Sequence, residues 1–431
     1  MQIKLADYKK KFMNKIWQNF FMACTFILMF QVVDAQQINR TEILNNNIKT
    51  LRVKVNEDAL NLPIIKLGSD DVMEISFDEL SHEIHSYSYN VQHCNADWTL
   101  SNLSSNEYID GFTNAQIENY NTSINTTVLY THYDFSLPNN QMNFKISGNY
   151  VVNIYQDNNS ENPIAKLCFS VVDPKVEINA KIRGNTDTEL SGALQQIDFD
   201  VLLQGYYVQN PQSDIKIVVR QNNRIDNEVT NIKPTFFNSN TLTYNNNRNL
   251  IFEGGNEYHR FDISSVYNYS EKINTIKFVS PNYQAYLFED EINRNKTYVQ
   301  DFDVNGRFII NYQNHSDDDI TADYLYVNFY LKKDEPFLEG NVYIGGEYNY
   351  NQLNDINRME YDFNSGMYFK KILLKQGGYN YQYWLKSKGD KKATTTPIDG
   401  SFWQTQNEYT IYVYHRGFGD RYDKLIGVKT L

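Results

Sequence analysis

Apolar and polar residues alternate at period two through most of this chain, a pattern that fits half-buried strands and leaves little room for helices. Leu51-Arg52-Val53-Lys54-Val55 alternates cleanly, and Met73, Ile75 and Phe77 do the same before Asp78-Glu79, which reads as a turn. Tyr87, Tyr89, Val91 and His93 share one face of a further strand, with Ser88, Asn90, Gln92 and Cys94 on the other. Leu129, Thr131, Tyr133 and Phe135 mark another, ended by Pro138-Asn139-Asn140. Residues 150–156 and 164–172 read as a hairpin around a polar loop. The 34 tyrosines and 25 phenylalanines point the same way, since aromatic side chains pack well on pleated surfaces.

The rhythm continues to the end. Residues 197–203, 215–220, 250–253 and 276–279 form a second series, separated by Asn-rich spacers such as Asn245-Asn246-Asn247. Leu325, Val327, Phe329 and Leu331 open a third, followed by 342–349, 359–362, 367–374, 379–385 and 409–414. Short strands bounded by turn residues predict immunoglobulin-like sandwiches. No fixed repeat suggests a solenoid or propeller. The expected fold is therefore all-β, with about three consecutive immunoglobulin-like β-sandwich domains after a signal peptide. Their predicted bounds are 36–173, 174–300 and 301–431.

The signal peptide is read at residues 1–35. Lys9, Lys10, Lys11 and Lys15 precede an apolar run from Ile16 to Val33, and Val33-Asp34-Ala35 presents small residues for cleavage between Ala35 and Gln36. Met13 is an alternative initiator. The run is just long enough to span a bilayer, but Gln18, Asn19 and Gln31 interrupt it, so export with cleavage is the reading. Beyond it no apolar run reaches spanning length, and the mature chain is expected to have no direct membrane span. Residues 1–35 hold five Lys and two Asp, so their removal takes the net charge from −12 to −15. Such a surface repels nucleic acid and anionic lipid, and neither is an expected partner.

Several clusters invite a chemical reading. His93-Cys94-Asn95-Ala96-Asp97-Trp98 gathers a base, a thiol, a carboxylate and an indole, but neighbours on an extended run point to opposite faces. No oxyanion turn follows Cys94, so a thiol is expected there rather than a nucleophile. Trp98 and Tyr108 are read as packing anchors, and Asn95 and Asp97 as turn formers at a sandwich corner. His82, His85 and His93 would bind zinc only if a helical turn brought them together. Asp317-Asp318-Asp319 lacks the alternating ligands of a calcium loop and reads as a solvated hairpin tip. Phosphate loops, nucleophile elbows and zinc-protease motifs are absent. Hence no catalytic, metal or cofactor residue is assigned and no enzyme is expected. Cys94 and Cys168 both fall on the more polar face of their strands, so whether they pair is left open. The loop at residues 386–401 carries Lys386, Lys388, Lys391 and Lys392 on an otherwise acidic chain, and is read as a mobile tip or a partner contact.

A set of motifs in one order carries more. His93-Cys94-Asn95-Ala96-Asp97-Trp98, Glu107-Tyr108-Ile109-Asp110-Gly111-Phe112, Tyr130-Thr131-His132-Tyr133, Ser147-Gly148-Asn149-Tyr150, Gly255-Asn256-Glu257-Tyr258, Asp303-Val304-Asn305-Gly306-Arg307-Phe308 and Gly417-Phe418-Gly419-Asp420-Arg421-Tyr422-Asp423 together resemble the type IX secretion system plug protein family. The resemblance spans essentially the whole mature chain. It implies a periplasmic protein, associated with the outer membrane, that binds and seals the periplasmic side of a giant outer-membrane β-barrel translocon without catalysis. It supplies no contact residues, so partner-binding positions stay unassigned. The third unit also resembles early-set sandwiches that bind starch-like glycans, through Tyr343-Ile344-Gly345-Gly346-Glu347-Tyr348-Asn349 and Gly378-Tyr379-Asn380-Tyr381-Gln382-Tyr383. Tyr350 there stands where a sugar-stacking Trp is usual. A glycan-binding module of an exported polysaccharide system is the alternative reading. Secreted cargo of the same system is a third, although the C-terminus lacks an obvious sorting domain.

Overall fold

The computed structural model describes Met13, Trp17 and residues 38–431, except 158, 190, 191, 314, 317 and 318. The segment expected to be a signal peptide, apart from Met13 and Trp17, and the expected Ala35–Gln36 junction lie outside the described residues. Asn39–Leu431 form one compact unit. It is built almost wholly of antiparallel strands, and the helices Ser105–Tyr108, Pro211–Asp214 and Thr396–Asp399 make one turn each. Among the described residues no helix is long and apolar enough to cross a membrane.

Three cores occupy this unit. The first lies between a six-stranded sheet containing Tyr87–Cys94, Gly148–Gln156 and Ala165–Val172, and a four-stranded sheet containing Ile48–Val55, Met73–Glu79 and Thr131–Leu137. The alternation puts Tyr87, Tyr89 and Val91 inside, where Tyr89 stacks on Phe135 at 4.2 Å and Tyr87 meets Tyr133 edge-on at 4.9 Å. The predicted hairpin pairs Ile154 with Ala165. Asp78-Glu79 is not a turn. Both residues continue the strand Met73–Glu79 and are buried, because their carboxylates find partners that burial otherwise denies.

Strand pairing departs from chain order in the remaining cores. Tyr409–His415 was expected in the third series, yet it pairs with Ile215–Gln221 in register Ile217↔Val413, and Lys424–Thr430 completes that sheet. The sheet faces the one formed by Glu177–Arg183 and Leu194–Leu202, enclosing Ile197, Phe199, Ile217, Tyr409 and Ile411. Conversely Ile276, expected in the second series, packs in the third core with Val327, Phe329, Ile344 and Tyr381. The division drawn at 300/301 therefore does not match the pairing. The reason is burial: all seven residues of Tyr409–His415 are buried, so both faces of that strand need cover. The second core covers one face. Ala96, Ile64 and Val172 of the first sandwich cover the other, against Tyr412 and Tyr414.

Candidate functional site

The stretch that gathered the most chemistry in the sequence is the corner where the first sandwich docks on the second. The strand Tyr87–Cys94 ends in a tight turn, with Trp98 N–H donating to Asn95 O at 2.9 Å and Thr99 N–H to Asp97 Oδ1 at 3.1 Å. Asn95 and Asp97 are thus the turn formers expected. Trp98 takes a left-handed backbone conformation (φ 64°), unfavourable for a bulky residue, and the buried indole packed beside Cys94 and Val151 holds it there. The Arg220 guanidinium from the second core sits 5.7 Å from its ring and 5.5 Å from that of Tyr412.

His93 and Cys94 point to opposite faces, as the strand geometry demands. His93 is enclosed by Tyr150 at 4.9 Å and Tyr422 at 5.2 Å, and burial pushes its pKa down to about 4. A Cβ on Gly148 would overlap its Nε2, so only glycine lets the backbone pass there. Cys94 is fully buried, its Sγ accepting from Asn39 Nδ2 at 3.7 Å, and burial pushes its thiol up to about 12. Such a thiol is not poised as a nucleophile. Both cysteines are free. Their strands flank Gly148–Gln156 on opposite sides, about two strand spacings or roughly 10 Å apart, beyond the reach of a disulfide.

Opposite this corner stands the C-terminal motif. Asp423, almost completely buried, accepts Ala96 N–H at 2.9 Å and the Lys216 ammonium at 2.8 and 3.0 Å. Arg421 pairs with Glu107. Asn149 donates to Asn95 O at 3.1 Å and accepts from Ser170 and Tyr414 hydroxyls, both at 2.9 Å. Four sequence motifs, the outermost more than three hundred residues apart, thus close one joint.

A second joint lies between the second and third cores. Tyr258 N–H donates to Asp303, and Gly306 passes close to the Tyr258 ring. Arg307 donates to Glu408 at 2.6 Å. Arg224 stacks 4.3 Å over Trp384, chelates Asp226 at 3.0 and 2.7 Å, and donates to Ala393 O at 2.9 Å. That last contact overturns the reading of the lysine-bearing loop as a mobile tip. Ala393, Thr395, Ile398 and Asp399 are buried, because the loop folds back against Leu385 and is clamped from the second core.

The third joint, between first and third cores, was not seen in the sequence. Asp78 binds His132 Nδ1 at 2.6 Å, the Tyr324 hydroxyl at 2.6 Å and the Lys375 ammonium at 2.7 Å. Burial alone would raise its carboxyl, but Lys375 and His132 outweigh this and hold it down at about 2. Lys375 also donates to Asp319 O at 2.6 Å, and Asp319 pairs with Arg52. Asp319 is therefore part of a joint rather than of a solvated tip; Asp317 and Asp318 lie outside the described residues. The missed signal was Lys375, a cation ending the apolar stretch Ile372-Leu373-Leu374.

The remaining candidates do not converge. His82 contacts Ser123 and His85 contacts Glu79, both away from His93. Among the described residues no three His, Cys, Asp or Glu side chains come together as metal-ion ligands. Tyr350, the substitute for a sugar-stacking Trp, packs against the first core and donates to Leu51 O at 3.1 Å, so its hydroxyl serves a joint.

Comparison with known proteins agrees with this geometry. The family profile described as the type 9 secretion system plug protein 1st domain matches residues 48–173. A crystal structure of a hypothetical protein from Parabacteroides merdae is 43% identical, with a TM-score of 0.90, and the match covers 92% of this chain and 100% of that one. The chain belongs to the type IX secretion system plug protein family. No curated protein matches it. Members of this family are secretion-system components, and the role of this chain is in type IX secretion. The profile spans the first sandwich, including the corner at His93–Trp98 and the Gly148 passage, whereas the structural relative spans all three cores.

Proposed function

We propose that this chain is a non-enzymatic periplasmic plug, binding and sealing the periplasmic side of the giant outer-membrane β-barrel translocon of the type IX system. The observation that carries the reading is the family membership just described. Its physical sense comes from the joints. A barrel wide enough for folded cargo leaks unless something bulky and stiff closes it. Three sandwiches locked by buried ion pairs and hydrogen bonds into one compact unit make such a body without chemistry. The stopper is periplasmic and associated with the outer membrane through its barrel partner.

Affinity-tagged barrel protein, solubilised and purified, should carry this chain with it at a fixed ratio. Cells lacking the chain should admit a large dye that the intact outer membrane excludes. Recovery of the barrel without the chain, together with unchanged dye entry, would sink the proposal.

A further inference from the structure

Where the three cores meet, the surface closes around a cavity of ≈ 380 Å³. That lies within the range of small-molecule sites, and junctions between domains are where such sites concentrate. Trp98 and Cys168 come from the first core, Arg220 and Tyr412 from the second, Tyr350 and Lys386 from the third. Residues of the joints line it, among them Arg52, Trp98, Arg220 and Tyr350.

The wall is basic although the chain is acidic. Arg40, Arg52, Arg220, Lys386 and Lys391 face Asp226 and Glu347, an excess of three positive charges on a chain of net −12. The arginines have carboxylate partners in Glu42, Asp319 and Glu228. Asp226 is consumed by Arg224 and by Ala393 N–H at 2.9 Å. Glu347 accepts from Asn223 at 3.1 Å, and burial pushes its carboxyl up. Lys386 and Lys391 stand apart. Neither ammonium makes a hydrogen bond or ion pair with any described residue. The loop bearing them is nonetheless fixed, by Leu385 and Thr394 exchanging backbone hydrogen bonds at 2.8 and 2.9 Å and by the Arg224 clamp. Two unpaired cations on a backbone fixed in this way line the same cavity as Tyr350 and Tyr412, so one wall offers both charge and apolar surface.

We infer that the cavity between the three sandwiches binds an amphiphilic organic anion, its acidic group at Lys386 and Lys391 and its apolar body against Tyr350 and Tyr412. This is independent of the plug reading, since it concerns a site lined by this chain alone.

The probe is anilinonaphthalene sulfonate, titrated by fluorescence into the purified mature chain at low salt. Saturable binding at one site is expected, about tenfold weaker in the double variant Lys386→Glu/Lys391→Glu. Lys388→Glu, in the same loop but outside the wall, should bind as wild type does. Phenylnaphthylamine, the uncharged analogue, should bind markedly more weakly. Displacement of the probe by benzoate or by phenyl phosphate supports the site and tells carboxylate from phosphate. Equal binding by wild type and the double variant overturns the inference. So does equal weakening by Lys388→Glu, or displacement by neither competitor. All three residues are at the surface or cavity edge, and an unchanged thermal midpoint verifies that each variant is folded.

Discussion

The buried pair at the third joint gives the sharpest test of how this body holds together. Replacing Asp78 by Asn keeps the volume but removes the charge, leaving the almost fully buried Lys375 ammonium with neutral partners alone at that position, an amide oxygen and the Asp319 carbonyl, in place of a carboxylate. Removing one partner of a buried pair costs about 3–5 kcal/mol, because the remaining charge loses its compensation. A second route gives a similar size. The carboxyl sits at about 2 against an ordinary 3.8, and at about 1.4 kcal/mol per pKa unit its ionised form gains about 2 kcal/mol from the fold. The larger figure includes the stranded lysine, the smaller does not, so Asp78→Asn should lose about 2–5 kcal/mol. Urea unfolding of the mature chain, followed by tryptophan fluorescence, measures this directly. Lys375→Met alone should cost a similar amount. The double variant strands no charge and should cost less than the two losses summed, with a coupling of at least about 1 kcal/mol. The pH profile supplies the sign. A depressed folded pKa means the contribution is complete above about 3.8 and drains away as pH falls towards 2. Wild type should therefore lose stability more steeply than Asp78→Asn through that window. A single variant within about 0.5 kcal/mol of wild type, or strict additivity in the cycle, would refute the claim that this pair locks the joint.

Two further outcomes follow from the first joint. Cys94→Ser should preserve barrel recovery at a stability cost of about 1–2 kcal/mol, since a buried hydroxyl replaces a thiol that does no chemistry; complete loss of recovery by a folded variant would revive a chemical role. Gly148→Ala should cost about 1–3 kcal/mol in urea unfolding, because the methyl group overlaps His93 and the ring has Tyr150 and Tyr422 behind it; a neutral effect would show that His93 has room to move.

Strands were legible in the sequence because period-two alternation is a local property. Tyr87–Cys94, Ile215–Gln221 and Tyr324–Lys332 emerge within a residue or two of where alternation puts them. Partner choice was not legible, because it is settled by which surfaces lack cover. Tyr409–His415 joins Ile215–Gln221 across nearly two hundred residues, as its two apolar faces need a core on each side. Buried charge was equally opaque. Asp78-Glu79 has the composition of a turn, and only Lys375, Tyr324 and His132, brought in from elsewhere, make a carboxylate tolerable inside. The lysine-bearing loop misled for the converse reason: its polar composition suggested solvent, while Arg224 and Asp226 of the second core pin it down.

The motifs that marked the family lie chiefly at the joints, and there is a physical reason for this. A sandwich interior asks only for apolar side chains at alternate positions, which many sequences satisfy. A joint asks for particular residues. Gly148 must be small for His93 to pass, Gly306 must leave room for the Tyr258 ring, and Asp423 must be acidic for Ala96 N–H and Lys216. Those demands link positions that are remote in the chain and leave few substitutes. The histidine, cysteine and tryptophan at 93–98 drew attention as a possible reaction centre because the same residue types serve chemistry elsewhere. Here a neutral imidazole, an inert thiol and an indole packed near an arginine fill a corner. What they produce is a fixed corner, packed and hydrogen-bonded between the first sandwich and the second.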